Sequence, residues 1–277
     1  MIYRILRVAI ATGGLAGLNV SAQAQESAFT PAGLWDRYLA GSWSLSLGAQ
    51  ATFGPRYEGA KAMSFQPLPM ISLGRSGVGP AFSSQNGNPG FAVFDDGFVR
   101  VGPVGKILFE RNASTDHDLR GLKPVPWGGE AGIFVDIYPA SWMRLRAEVR
   151  HGIRAHHGVV ADFAADAFYD FAPNWRISGG PRASLATRSY YQAYYEVSLG
   201  ESVTSGLSPY SPGGGLKSLG VGGALTWKAT DKITTSVFAE YSRLMGPAAQ
   251  SSLVRERGSK DQLTIGLSAT YRFDFSL

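Results

Sequence analysis

Residues 143–155 read MRLRAEVRHGIRA. Met143, Leu145, Ala147, Val149 and Ile153 stand at odd positions, and Arg144, Arg146, Glu148, Arg150 and Arg154 at even ones. A period of two is the mark of a strand, because successive side chains point to opposite faces of a sheet. One face of this strand is apolar and the other holds four arginines. That concentration of one charge predicts a cavity with an acidic wall opposite.

The same parity runs outward along the chain. Segments 42–53, 63–73, 127–137, 159–171, 175–187, 216–227, 233–243 and 263–273 carry their apolar residues at odd positions. Around the opening stretch the even positions supply the wall: Glu130 and Asp136 before it, Asp162, Asp166 and Asp170 after it, then Arg176, Arg182 and Arg188. Parity survives a hairpin when its loop has an odd number of residues, and the loops 139–141, 172–174 and 229–231 each have three. Trp142, Trp175 and Trp227 flank these turns, with Tyr138 and Phe171 opposite, and Trp127 opens another strand. Aromatic residues at strand ends form the interfacial girdle of a membrane barrel. Short turns at one end and the long polar loops 110–123, 196–215 and 246–260 at the other match periplasmic and extracellular sides.

These features predict an all-β fold, a transmembrane antiparallel up-and-down β-barrel spanning residues 42–277. Ten strands are expected, or twelve, the preferred number, if the hairpin turning at Asp95-Asp96-Gly97 is counted. Pro67 and Pro69 remove ladder donors and predict an irregular or bulged second strand. Three-residue turns also set register. Pairing Tyr138 with Trp142 places Asp136 opposite Arg144 and Glu130 opposite Arg150; pairing Phe171 with Trp175 places Asp170 opposite Arg176. A five-residue connection after the opening strand would align Arg154 with Asp162, Arg150 with Asp166 and Arg146 with Asp170. The expected lumen is thus a ladder of alternating sign, comprising Glu130, Asp136, Arg144, Arg146, Glu148, Arg150, Arg154, Asp162, Asp166, Asp170, Arg176, Arg182 and Arg188. It would plug and brace the interior; lining a selective pore is the other reading.

Composition and the N-terminus bound the rest. Arg4 and Arg7, an apolar run over 8–20 and Ala22-Gln23-Ala24 describe a secretory signal peptide at residues 1–24, cut between Ala24 and Gln25, with 25–41 as a periplasmic lead-in. The expected address is the outer membrane, with its lipids as neighbours. Removing Arg4 and Arg7 from 26 basic residues leaves 24 against 21 acidic ones, a formal charge of +3, too balanced to argue for nucleic acid. Cysteine is absent, which excludes disulfides, thiol catalysis and thiolate metal sites. Beyond Ala24 no apolar run reaches the roughly 18 residues that a membrane helix needs. No G-x-S-x-G occurs, and the histidines His117, His151, His156 and His157 lack the spacing of a metal site, so surface or interface roles are expected for them. The expectation is a protein with no enzyme activity, cofactor or metal.

Several motifs then resemble one family in order and spacing: Pro67-Leu68-Pro69-Met70-Ile71, Leu119-Arg120-Gly121-Leu122, SYYQAYYEVS at 189–198, PGGGLK at 212–217, SRLMGPAAQSSLV at 242–254, and Tyr271-Arg272-Phe273. They look like successive motifs of the MipA/OmpV family, the MltA-interacting proteins, over nearly all of the chain beyond Ala24. Two departures stand out: Ser252 lies where that family usually has Pro, and Asp274 to Leu277 extend past the customary Tyr-Arg-Phe end. The resemblance implies an outer-membrane scaffold that docks a murein hydrolase, an MltA-type lytic transglycosylase, together with a bifunctional penicillin-binding protein. Other members imply a porin-like channel for small solutes or a surface adhesin working through the long outer loops.

Overall fold

The computed structural model of the protein describes residues 42–75, 82, 84 and 87–276; the expected signal peptide and lead-in lie outside them. Among these residues period-two alternation becomes eleven strands, each antiparallel to its neighbours. They are β1 (Ser42–Pro55), β2 (Met63–Arg75), β3 (Phe94–Asp95), β4 (Val99–Leu108), β5 (Gly128–Ala140), β6 (Met143–Ile153), β7 (Val159–Ala172), β8 (Trp175–Ala186), β9 (Gly215–Lys228), β10 (Ile233–Leu244) and β11 (Asp261–Ser276). Consecutive strands pair throughout β3 to β11, and β1 joins β11 to β2. Eleven lies between the ten and twelve expected: both arms of the Asp95-Asp96-Gly97 hairpin form, as β3 and β4, and the other strands number nine rather than ten. Among the described residues no helix is long and apolar enough to cross a membrane.

Strand β2 runs in unbroken register with β1, from Met63 opposite Pro55 to Arg75 opposite Trp43, so the bulge expected from its prolines does not form. The reason lies in the ladder. Arg56 N–H donates to Ala62 C=O at 2.9 Å, one hydrogen-bonded pair in the same register. Bonded pairs recur at every second residue, so they fall on even β2 positions, and the nitrogens of Pro67 and Pro69 point away from β1. The prolines cost this ladder nothing, and they deny donors to the other edge.

Parity sorts the two faces. Outside the two-residue β3, where Phe94 is exposed, large apolar residues exposed on the outer surface sit at odd positions of the strands, among them Phe53, Ile133, Val149, Phe163, Ile177, Val221, Val237, Ile265 and Phe273. Even positions turn inward and are buried, including Glu130, Phe134, Asp136, Arg144, Glu148, Arg150, Asp166, Phe168 and Phe238. Trp142, Phe171, Trp175 and Trp227 are exposed at the short-turn end, where Trp175 and Trp227 stack with centroids 5.6 Å apart, and Trp127 is exposed at the opposite end. Tyr138 corrects the expected girdle. At an even position it is 8% exposed and packs inside against Phe82 and Phe168. Phe82, in the connection from β2 to β3, stacks on Phe168 at 4.9 Å and accepts a bond from the Tyr138 hydroxyl at 3.3 Å, so part of this connection fills the lumen.

The long loops also depart from expectation. They form a packed cap rather than free polar loops. Within it lie α1 (Arg188–Tyr195), α2 (Leu199–Ser205) and α3 (Gly246–Gln250). Tyr190, Tyr191 and Tyr195 of α1 bury against Ala248 and Ala249 of α3, with Leu244, Val254, Val160 and Ala186. A second cluster joins Tyr57, Ala60, Leu119, Val197, Leu207 and Leu253, which come from four different loops. Single side chains tie these loops together. Arg257 donates to the carbonyls of Asp118, at 2.6 Å, and Ser205; Ser251 Oγ donates to Tyr195 C=O at 2.8 Å; Tyr191 Oη donates to Gly215 C=O at 2.9 Å. Gly59, at φ 101°, turns the β1–β2 loop under Gln262, which accepts its N–H at 2.9 Å.

Ser252 is buried in this cap, and its hydroxyl has no partner. Its φ is −58° and Ser251 before it has ψ 135°, a backbone that proline and its predecessor both adopt without strain. Ser252→Pro is therefore expected to raise stability by about 0.4–1 kcal/mol through the unfolded state, read as a higher urea midpoint in folded vesicle preparations.

Candidate functional site: a charged lumen under the cap

The interior wall of β4 to β8 carries two chains of ion pairs, the longer one reaching from Asp95 to Asp162. Arg100 Nε donates to Asp95 at 2.7 Å and its Nη1 to Asp136 at 3.5 Å. Arg146 holds both Asp136 oxygens at 3.0 Å and Glu148 at 2.7 Å. Arg150 then bonds three carboxylates, Glu130 at 2.8 Å, Asp162 at 2.5 Å, and Glu148. Alongside runs a second chain, in which Asp166 accepts from Arg144 at 2.6 Å and from Arg182. Arg146 also lies 4.2 Å over the Phe134 ring, and Arg144 lies 4.8 Å over Phe82. Asp170 and Arg176 pair at 2.6 Å near the short-turn rim, in the register expected for them.

Other expected alignments are corrected by the turns. Asp136 faces Arg146, and Glu130 faces Gly152, a shift of two residues on β6. Ala140 pairs with Met143 across a tighter turn, and a bulge between Ile137 and Ala140 absorbs the difference while preserving parity. Between β6 and β7, Arg144 faces Asp166, Arg146 faces Ala164 and Arg150 faces Val160. Glu148 therefore stands directly opposite Asp162, a like-charge pair that would repel without Arg150 bonding both. Arg154 and Arg188 leave the ladder altogether. Arg154 sits exposed in the β6–β7 turn over Trp127, and Arg188 opens α1 with its guanidinium 3.5 Å from Ser211 Oγ.

His156 departs from the surface role expected for it. It is 2% exposed, its Nδ1 accepts from Gly158 N–H at 3.1 Å, and its Nε2 meets Glu130 at 3.0 Å. With Nδ1 accepting, Nε2 carries the proton and donates. Arg100 and Lys106 were legible as even positions of β4 and were missed because that segment lacked clean alternation.

Beneath the cap lies a cavity of about 250 Å³ lined by charges of both signs and by serines, including Lys106, Arg146, Glu148, Asp162, Ser184 and Lys217. Glu58 closes its roof. Its carboxylate accepts from Lys217 Nζ at 2.9 Å, from Tyr195 Oη at 2.6 Å and from Tyr190 Oη at 3.3 Å, so one loop carboxylate links β9 to α1. Burial opposes the Glu58 charge, but Lys217 and the Tyr195 hydroxyl outweigh it and hold the carboxyl below its ordinary value of 4.5. Nothing in the sequence pattern marked Glu58, which sits in a turn. Among the described residues no cluster of three or more acidic, His or Cys side chains is placed to hold a metal ion.

A family model described as MltA-interacting protein MipA matches residues 47–273. No curated protein sequence matches the chain. Among solved structures, Neisserial surface protein A is 10% identical, with a TM-score of 0.28, over 84% of this chain and 99% of that one. The CymD monoaromatic hydrocarbon channel is 10% identical with a TM-score of 0.39, over 93% and 94%. The COG4313 outer membrane channel from Pseudomonas putida F1 is 9% identical with a TM-score of 0.36, over 85% and 96%.

Two measurements test the network and its roof. Arg150→Met leaves three carboxylates facing one another, and is expected to lower unfolding free energy by about 3–5 kcal/mol, with partial recovery when Glu130→Gln and Glu148→Gln are added. The Glu58 carboxyl titrates lower in the folded state than in the unfolded one, so its stabilisation is complete above about pH 4.5 and is lost as pH falls through the folded value. Hydrogen exchange of α1 amides is expected to quicken below that pH in the parent protein, and to lose this dependence in Glu58→Gln.

Proposed function

The chain belongs to the MltA-interacting protein MipA family, and from that premise we propose that it is a closed outer-membrane barrel acting as a non-enzymatic scaffold. Its periplasmic partners in this reading are a murein hydrolase of the MltA lytic transglycosylase type and a bifunctional penicillin-binding protein, held together for cell-wall remodelling. The observation that supports a scaffold over a conduit is the double obstruction of the lumen. Phe82 and the ion network of β4 to β8 occupy the interior, and a cap with its own hydrophobic clusters covers the long-loop end. Such a barrel spends its interior on rigidity and leaves its ends for recognition. Docking then uses the short-turn end, where Asp96, Trp142 and Asn174 are exposed between rigid strands.

The cavity of about 250 Å³ is the observation that favours the second reading, a channel or binding vessel for small solutes. The two separate experimentally. Tagged protein extracted from envelopes in mild detergent is expected to co-purify a lytic transglycosylase, and to keep it when the exposed α2 residues Leu199 and Val203 are changed to serine. In planar bilayers the same preparation is expected to pass no steady current. Steady single-channel steps without a co-purifying cell-wall enzyme would replace the scaffold by the channel.

A further inference from the structure

Among the described residues one non-glycine residue has positive φ, Arg154 at 72°. Ala155 N–H donates to Ile153 C=O at 2.9 Å, closing a three-residue γ-turn on it. This positive-φ form of the turn is rare and strained for any residue with a side chain. Glycine would relieve the strain, so what the position gains from arginine must come from the side chain. That side chain leaves the lumen. Its guanidinium lies 4.2 Å over the ring of Trp127, which is exposed at the long-loop end of the barrel wall. No carboxylate among the described residues pairs with Arg154. The nearest ladder acid, Glu130, is turned inward and held by Arg150 and His156.

Polar neighbours share this rim. His151 occupies an odd, outward position of β6, between Ala131 and Val159 in register, where the alternation calls for an apolar residue. His157 is exposed on the far side of the same turn. We propose that Arg154, with His151 and His157 beside it, binds the phosphate of a glycolipid headgroup in the outer leaflet. A guanidinium offers a planar fork of donors that matches phosphate oxygens, and stacking on an aromatic ring fixes its plane before the ligand arrives. Interfacial tryptophans sit at headgroup depth, which puts the fork level with those phosphates. The long-loop end is the outer side of such barrels, so the leaflet in question is the outer one. This inference is independent of the scaffold reading.

The test uses the full-length protein in mild detergent, titrated with a bisphosphorylated glucosamine-disaccharide lipid, its dephosphorylated form and phosphatidylglycerol, with binding read by native mass spectrometry. The parent is expected to prefer the phosphorylated glycolipid over both others. Arg154→Gly is expected to bind it about tenfold more weakly. Because glycine suits the turn, its thermal midpoint should be unchanged or higher, which separates lost binding from lost folding. Arg154→Lys, which keeps the charge and loses the fork, is expected to fall between. Equal affinity for the phosphorylated and dephosphorylated lipids, equal affinity for phosphatidylglycerol, or undiminished binding by Arg154→Gly would each overturn the site.

Discussion

A buried guanidinium that bonds three carboxylates governs this structure. Arg150 takes one partner from β5, one from its own strand and one from β7, and its side chain is fully enclosed. Isolated burial of any of these charges would be prohibitive, so each is tolerable because the others are present. The constraint reaches the whole sheet. A slip of one residue would carry the arginines into lipid, at about 2–4 kcal/mol each near mid-membrane, and strand their acids in the lumen. Lipid outside and the ion network inside therefore enforce the same parity from opposite sides.

That double enforcement explains which parts were readable in the sequence. Inside and outside followed from parity, and the strand that opened the reading became β6 with its apolar and charged faces where the alternation put them. Registers were legible only in part: Asp170 meets Arg176 as expected, but the β5–β6 register depends on a turn that closes at Ala140 with Met143 instead of Tyr138 with Trp142. Tyr138 was misplaced when its position beside a turn was weighed over its even number. The prolines of β2 misled because donor loss matters only on the bonded edge of a strand. The cap was invisible for a different reason: Tyr57, Leu119, Val197 and Leu253 have no shared period, and their burial arises where separate loops meet.

Those loops also account for the family motifs. The stretches at 119–122, 189–198, 212–217 and 242–254 contribute Leu119, Tyr190, Tyr195, Lys217, Ala248 and Leu253 to the cap or its roof, although they lie far apart in the chain. Gathered at one end, they make the loops a structured lid with a hydrophobic interior. The opposite end carries short turns between rigid strands. The barrel thus presents two unlike ends, a lid with its own hydrophobic clusters and a rim of short turns.

The Glu58 link has a consequence for the order in which the molecule is made. Residue 58 follows β1, whereas Tyr190, Tyr195 and Lys217 arrive only after β8 and at the start of β9. Gln262 then reaches back to Gly59 across almost the whole chain. Such long-range contacts cannot form on a half-built sheet. The roof is completed only when β11 has met β1, so an ordered cap is a record that the last strand has joined the first.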